Sequence, residues 1–245
     1  FKQKTAYEIM PSLVGSEMCI RDRNRGGKLR QTSTLSLIAE KIHAYLSQKQ
    51  AARERALQLC REVILNCSSS IRAVHRGEYE NAQEAARSAR ELLAKLSQTL
   101  SAYPDLAHSG FVNDAQKEYV EATVLLALVR GEVIPDPDEL GVFYVPYLNG
   151  LGEVVGELRR QLLDHIRCGE LERGEELLTL MDDIYALLVG IDFPDALTGS
   201  LRRTTDMVRG VLERSRGDLT LTLRQRELEK RMEELQQHLN TGGEA

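Results

Sequence analysis

The chain has 245 residues, a formal net charge of −5, 5% aromatic residues and no tryptophan. That length can bury a substantial core, as one large domain or two small ones. The acidic balance excludes a broad basic face, so a nucleic-acid partner needs a local basic patch. No apolar run reaches the length of a membrane span.

In chain order, the first stretch looks foreign to the rest. MCIRDR (Met18–Arg23) resembles the translation of a transposon end used in making sequencing libraries, and YEIMPSLVGSE before it has no clear period. The run from Met10 to Gly15 is short, broken by Pro11 and flanked by acids, which makes a poor signal peptide. Residues 1–23 therefore read as a disordered sequencing-adapter artefact, followed by a helical domain over 24–218.

From Ser33 to about Arg76, Leu57, Cys60, Ile64, Cys67, Ile71 and Val74 keep a three-four spacing that predicts a helix. Gly77 breaks it. A second helix runs from Tyr79 to Leu100 on a small alanine face, a third from Phe111 to Arg130 with Gly131 as its stop. The stretch GEVIPDPDELGVFYVP carries three prolines and reads as the longest loop. A fourth helix covers Tyr147–Cys168 and a fifth Leu171–Val189. Asp195 or Thr198 can cap a sixth, which continues to about Arg216. Gly217 and Asp218 interrupt the pattern before a last amphipathic helix, within a C-terminal segment 219–245. There Leu221, Leu228 and Leu235 fall seven apart. The expectation is an all-α, single-domain bundle of about seven helices.

Cys60 and Cys67 are separated by about 10 Å along one predicted helix, too far for a disulfide. With no CxxC pair, the chain reads as reduced and cytoplasmic. EKIH (Glu40–His43) is a single E-x-x-H where a dimetal bundle needs two, and HIRC (His165–Cys168) has too few ligands for zinc.

Two acidic pairs stand out. Glu118 and Glu121 are three apart on the third predicted helix, and Glu153 and Glu157 four apart on the fourth, so each pair shares a face. If the two helices pack antiparallel, four carboxylates converge. They repel one another until a divalent cation relieves them, and hard oxygen ligands suit Mg²⁺ or Mn²⁺. Taken without further context, such pairs also describe an ordinary solvated helix face.

Three blocks carry a resemblance: QKEYVEA (Gln116–Ala122), PYLNGLGEVVGELRR (Pro146–Arg160) and FPDALTGSLRRTTDMVRGVLERSRGDLT (Phe193–Thr220). Together they resemble the translin family, closest to the translin-associated factor X branch and its prokaryotic relatives, over roughly Ala52–Thr220. The resemblance implies a Mg²⁺- or Mn²⁺-dependent endoribonuclease for single-stranded RNA. Its catalytic, metal-holding acids would be Glu118, Glu121, Glu153 and Glu157. The third of these is commonly Asp in that branch, so Glu153 is a departure that keeps the charge on a longer arm. The resemblance also implies a homo-oligomer, an octamer-like closed shell. The alternative is a non-catalytic oligomer that binds single-stranded RNA or DNA, as in the translin branch. A helical assembly module is a third reading, carried by the stripe from Leu221 to Leu239.

For the nucleic acid itself, residues 53–76 hold five arginines against two glutamates. Within SSSIRAVHRG, the candidate backbone contacts are Arg72, His75 and Arg76. Arg202, Arg203 and Arg209 form a second cluster, read as pairing between helices, and Tyr119 reads as core before it reads as a stacking platform.

Overall fold

A computed structural model of the chain describes residues 28–241. The expectation for residues 1–23 lies outside them. Every described residue with an assigned regular structure is helical, and no strand occurs among the described residues, so the all-α reading holds. The chain divides into two units between Gln48 and Lys49. The first contributes the opening half of α1 (Lys28–His75), in which each residue from 33 to 48 is exposed.

The second unit holds the core. It takes the rest of α1, then α2 (Tyr79–Leu100), the single-turn α3 (Pro104–Ala107) and α4 (Gly110–Arg130). The single-turn α5 (Pro137–Leu140), α6 (Tyr144–Cys168), α7 (Leu171–Gly190), the single-turn α8 (Asp195–Thr198) and α9 (Leu201–Thr241) follow. Among the described residues six helices are long, one fewer than expected, because the predicted sixth and seventh are one. Gly217 and Asp218 lie inside α9. A helical glycine costs about 1 kcal/mol, and here that is outweighed by the buried Ser215 and Leu219 on either side. Arg159 also holds Asp218 at 2.8 Å. Neither Asp195 nor Thr198 caps α9. They form α8, which Gly199 ends in the left-handed region at φ 58°.

Most of α4 is buried from Tyr119 to Leu128, Thr123 excepted, so it is the central helix of the unit. It is stopped by Gly131 at φ 71°. The proline stretch is a pinned connection. The Asp136 carboxylate accepts from Glu139 N–H at 2.8 Å and Tyr147 donates to Pro135 O at 3.0 Å. Phe143 N–H donates to Gln116 Oε1 at 3.0 Å. Pro146 enters the first turn of α6, three residues earlier than predicted, where no intrahelical N–H is required.

α6 packs against α4, α7 and α9. Its glycines allow this. A Cβ on Gly150 would lie 2.8 Å from both Lys117 O and Val120 Cβ, and one on Gly152 would lie 2.2 Å from Thr204 Cγ2. Asn149 fastens the same turn, accepting from Thr204 Oγ1 at 2.6 Å. Gly150→Ala should therefore destabilise the fold by about 1–3 kcal/mol, since backbone on α4 cannot yield as a side chain does. An unchanged urea midpoint for that variant would show that α4 and α6 are not so closely apposed.

Candidate carboxylate site

The close approach at Gly150 places the next turns of α6 beside α4, and the four sequence-flagged acids lie along this helix pair within electrostatic reach of Glu121. Glu121 is buried at 9% exposure, inside the apolar run of α4. Its carboxyl is pushed up from 4.5 to about 8, first by burial, then by the charges of Glu118, Glu157 and Glu153. Glu118 is raised too, by burial ahead of its charged neighbours, Lys117 opposing and Glu153 and Asp114 adding. These shifts report proximity: both helices contribute acids to one electrostatic neighbourhood.

Two polar partners hold the α6 acids. Lys117 Nζ donates to Glu153 Oε1 at 3.2 Å. His75 pairs through Nε2 with Glu157 Oε2, and the hydrogen bond holds the Glu157 carboxyl below its ordinary range against the opposing effect of burial. Among the described residues, no three His, Cys, Asp or Glu side chains stand close enough together to hold a metal ion as placed. The donor set nonetheless fits a hard cation. It offers carboxylate oxygens, two of them on a buried acid whose ionisation is opposed first by burial and then by its carboxylate neighbours. Drawing Glu153 from Lys117 is the rearrangement that a cation would need to drive.

Cys67, which the sequence places in the apolar seam of the first helix, lies near these acids. Burial, then Glu118 and Glu121, push its thiol up to about 12, so it is an inert packing group here and not a nucleophile or a soft ligand. Of the three basic candidates, Arg72 is exposed and donates to Ser69 Oγ at 3.0 Å. Arg76 is exposed but forms a two-pronged pair with Glu78 at 2.8 and 2.9 Å. The His75 ring is 5% exposed and engaged by Glu157, so it faces the acids and not the solvent. Tyr119 is core at 3% exposure. Arg209 pairs with Asp206 within α9, not across helices.

No protein-family model matches the chain. A protein of Methanocaldococcus jannaschii, itself uncharacterized, is 30% identical over 194 residues, covering 78% of this chain and 86% of that protein. The crystal structure of AfC3PO is 34% identical with a TM-score of 0.71, covering 77% of this chain and 98% of that one. This chain belongs to the translin family. A second structure, of AfC3PO in complex with duplex RNA, matches at 33% identity and TM-score 0.68, covering 77% of this chain and 97% of that one. The apo-NeC3PO crystal structure, at 23% identity and TM-score 0.64 over 77% of this chain and 96% of that one, shares the fold. The translin-family relatives are thus matched over nearly their full solved length, while about a quarter of this chain lies outside the match.

Proposed function

We propose that this chain is a Mg²⁺- or Mn²⁺-dependent endoribonuclease of the translin-associated factor X type, acting on single-stranded RNA. The observation that carries the reading is Glu121, a buried acid raised to about 8 by burial and by three other carboxylates drawn from two packed helices. A fold built for stability alone gains nothing from that arrangement, because like charges in a low-dielectric setting destabilise it.

Glu118, Glu121, Glu153 and Glu157 would hold the cation. A cation held there would supply Lewis acidity toward water and charge stabilisation toward the phosphodiester. Glu157, kept ionised by its hydrogen bond, serves as a fixed anionic ligand. Glu121 would orient the attacking water once a cation has displaced the proton that burial and its neighbours favour. Arg72, exposed and, among the described residues, hydrogen-bonded only to Ser69, would meet the RNA backbone outside the site. RNA as the ligand is supported by the AfC3PO complex with duplex RNA. Assembly into a homo-oligomeric, octamer-like shell is supported by exposed apolar side chains. Leu35, Ile38, Ile42 and Leu46 are 46–65% exposed on the first unit, and Leu221, Leu228, Met232 and Leu235 are 55–72% exposed on α9.

Lys117 favours a second reading, an oligomer that binds single-stranded RNA or DNA without cutting it. Its ammonium already neutralises Glu153, the position that departs from the usual Asp. Product ends separate the two. Cleavage by an activated water leaves 5′-phosphate and 3′-hydroxyl ends, so end analysis of a labelled single-stranded RNA after incubation with Mg²⁺ should find only these. Ends bearing 2′,3′-cyclic phosphate would contradict the mechanism. Intact RNA retained in a salt-sensitive, EDTA-resistant complex would establish the binding reading.

A further inference from the structure

His75 is the last residue of α1, and its ring is nearly enclosed although both of its nitrogens are polar. Both have partners. Gln161 Nε2 lies 3.1 Å from Nδ1, and Nε2 faces Glu157 Oε2. With the Gln161 amide nitrogen donating to Nδ1, the ring proton is on Nε2, directed at Glu157. Glu157 and Gln161 are four apart on α6 and therefore share a face, which the ring bridges from a different helix.

This geometry has a consequence for the carboxylate. A free glutamate side chain samples many rotamers, and ordering it on a ligand costs side-chain entropy. With Oε2 tied to a buried ring, Glu157 has already lost that freedom, and Oε1 is left for another ligand. We propose that His75, oriented by Gln161, is a positioning residue that presents Glu157 to the cation, and that it takes no part in contacting RNA. The inference rests on the carboxylates being a cation site. A purely structural role for the ring would be met by any apolar group of similar volume.

The test is Mn²⁺ binding to the full chain, followed by calorimetry and by the spin-resonance signal of the free ion. His75→Leu should weaken Mn²⁺ affinity about tenfold or more, the usual effect of losing a partner that orients a metal ligand. His75→Gln, which keeps an N–H near the Nε2 position, should recover affinity to within about threefold of the wild type. In a Glu157→Gln background, His75→Leu should add nothing, because the ring then has no carboxylate to aim. If His75→Leu fails to fold, Gln161→Leu gives the same test with a smaller, severalfold loss.

Equal Mn²⁺ affinity in the wild type and His75→Leu overturns this inference and leaves the cation site standing. An undiminished His75→Leu effect in the Glu157→Gln background overturns it too. A wild-type chain that binds no Mn²⁺ overturns the cation site itself, and this inference with it.

Discussion

Replacing Glu121 with glutamine should abolish RNA cleavage and, in the same molecule, make the cation-free protein more stable. The two effects have one cause. Glu121 is a nearly isosteric acid in a buried stretch of α4, and its ionised form is opposed by burial and by Glu118, Glu157 and Glu153. An amide there carries no charge to bury. Each pKa unit corresponds to about 1.4 kcal/mol, so with relaxation of the neighbours the gain at pH 8 should be about 2 kcal/mol. Cleavage should fall at least about 100-fold, the usual loss when a positioned acid–base group is removed. A variant that is less stable in EDTA would show that Glu121 is held by favourable contacts. A variant that still cleaves normally would remove it from the chemistry.

The second large effect is a pH dependence that a divalent cation should erase. The Glu121 carboxyl titrates at about 8 in the folded chain against an ordinary 4.5. Between those values the folded state holds a proton that the unfolded state has released. Stability in EDTA therefore falls as pH rises through that window, and the penalty is complete above it. Glu118 acts in the same direction. Glu157 acts oppositely, its contribution being lost only as pH falls through the acid range below its ordinary value. Urea midpoints in EDTA should thus drop between about pH 5.5 and pH 8 by an amount worth a few kcal/mol. Saturating Mg²⁺ should flatten the curve by binding the ionised acids. A midpoint that stays level or rises over that range in EDTA would mean that the four acids do not share a site.

Much of this fold was legible because its long helices obey a simple spacing. Apolar residues three and four apart marked α2, α6 and α7, and Gly131 and Gly169 ended α4 and α6 where the chain turns to positive φ. The break placed at Gly217 was misread for an energetic reason. A single glycine costs little, and the Arg159–Asp218 pair together with buried Leu219 carries α9 straight through. The acidic pairs were visible as i,i+3 and i,i+4 patterns, but their convergence depends on Gly150, whose meaning appears only when Lys117 and Val120 are seen against it.

His75 shows the limit of local reading. In the sequence it stands beside Arg72 and Arg76 in a basic, hydroxyl-rich stretch and looks like part of a phosphate-contacting surface. Its partner, Glu157, is 82 residues away, and no periodicity links the two. The end of α1 turns the ring inward while Arg76 stays out with Glu78. Lys117 is similar. One residue before Glu118 it looks like routine charge alternation, whereas in the fold it is the counter-ion of Glu153 across the helix pair.

The most direct measurement is cleavage of a labelled single-stranded RNA by the chain with Mg²⁺, Mn²⁺ or EDTA, beside a Glu121→Gln, Glu157→Gln double variant. Cleavage that needs the cation and vanishes in the double variant is the predicted result. Cleavage that survives EDTA, or persists in the double variant, would contradict the assignment of these glutamates as the working site.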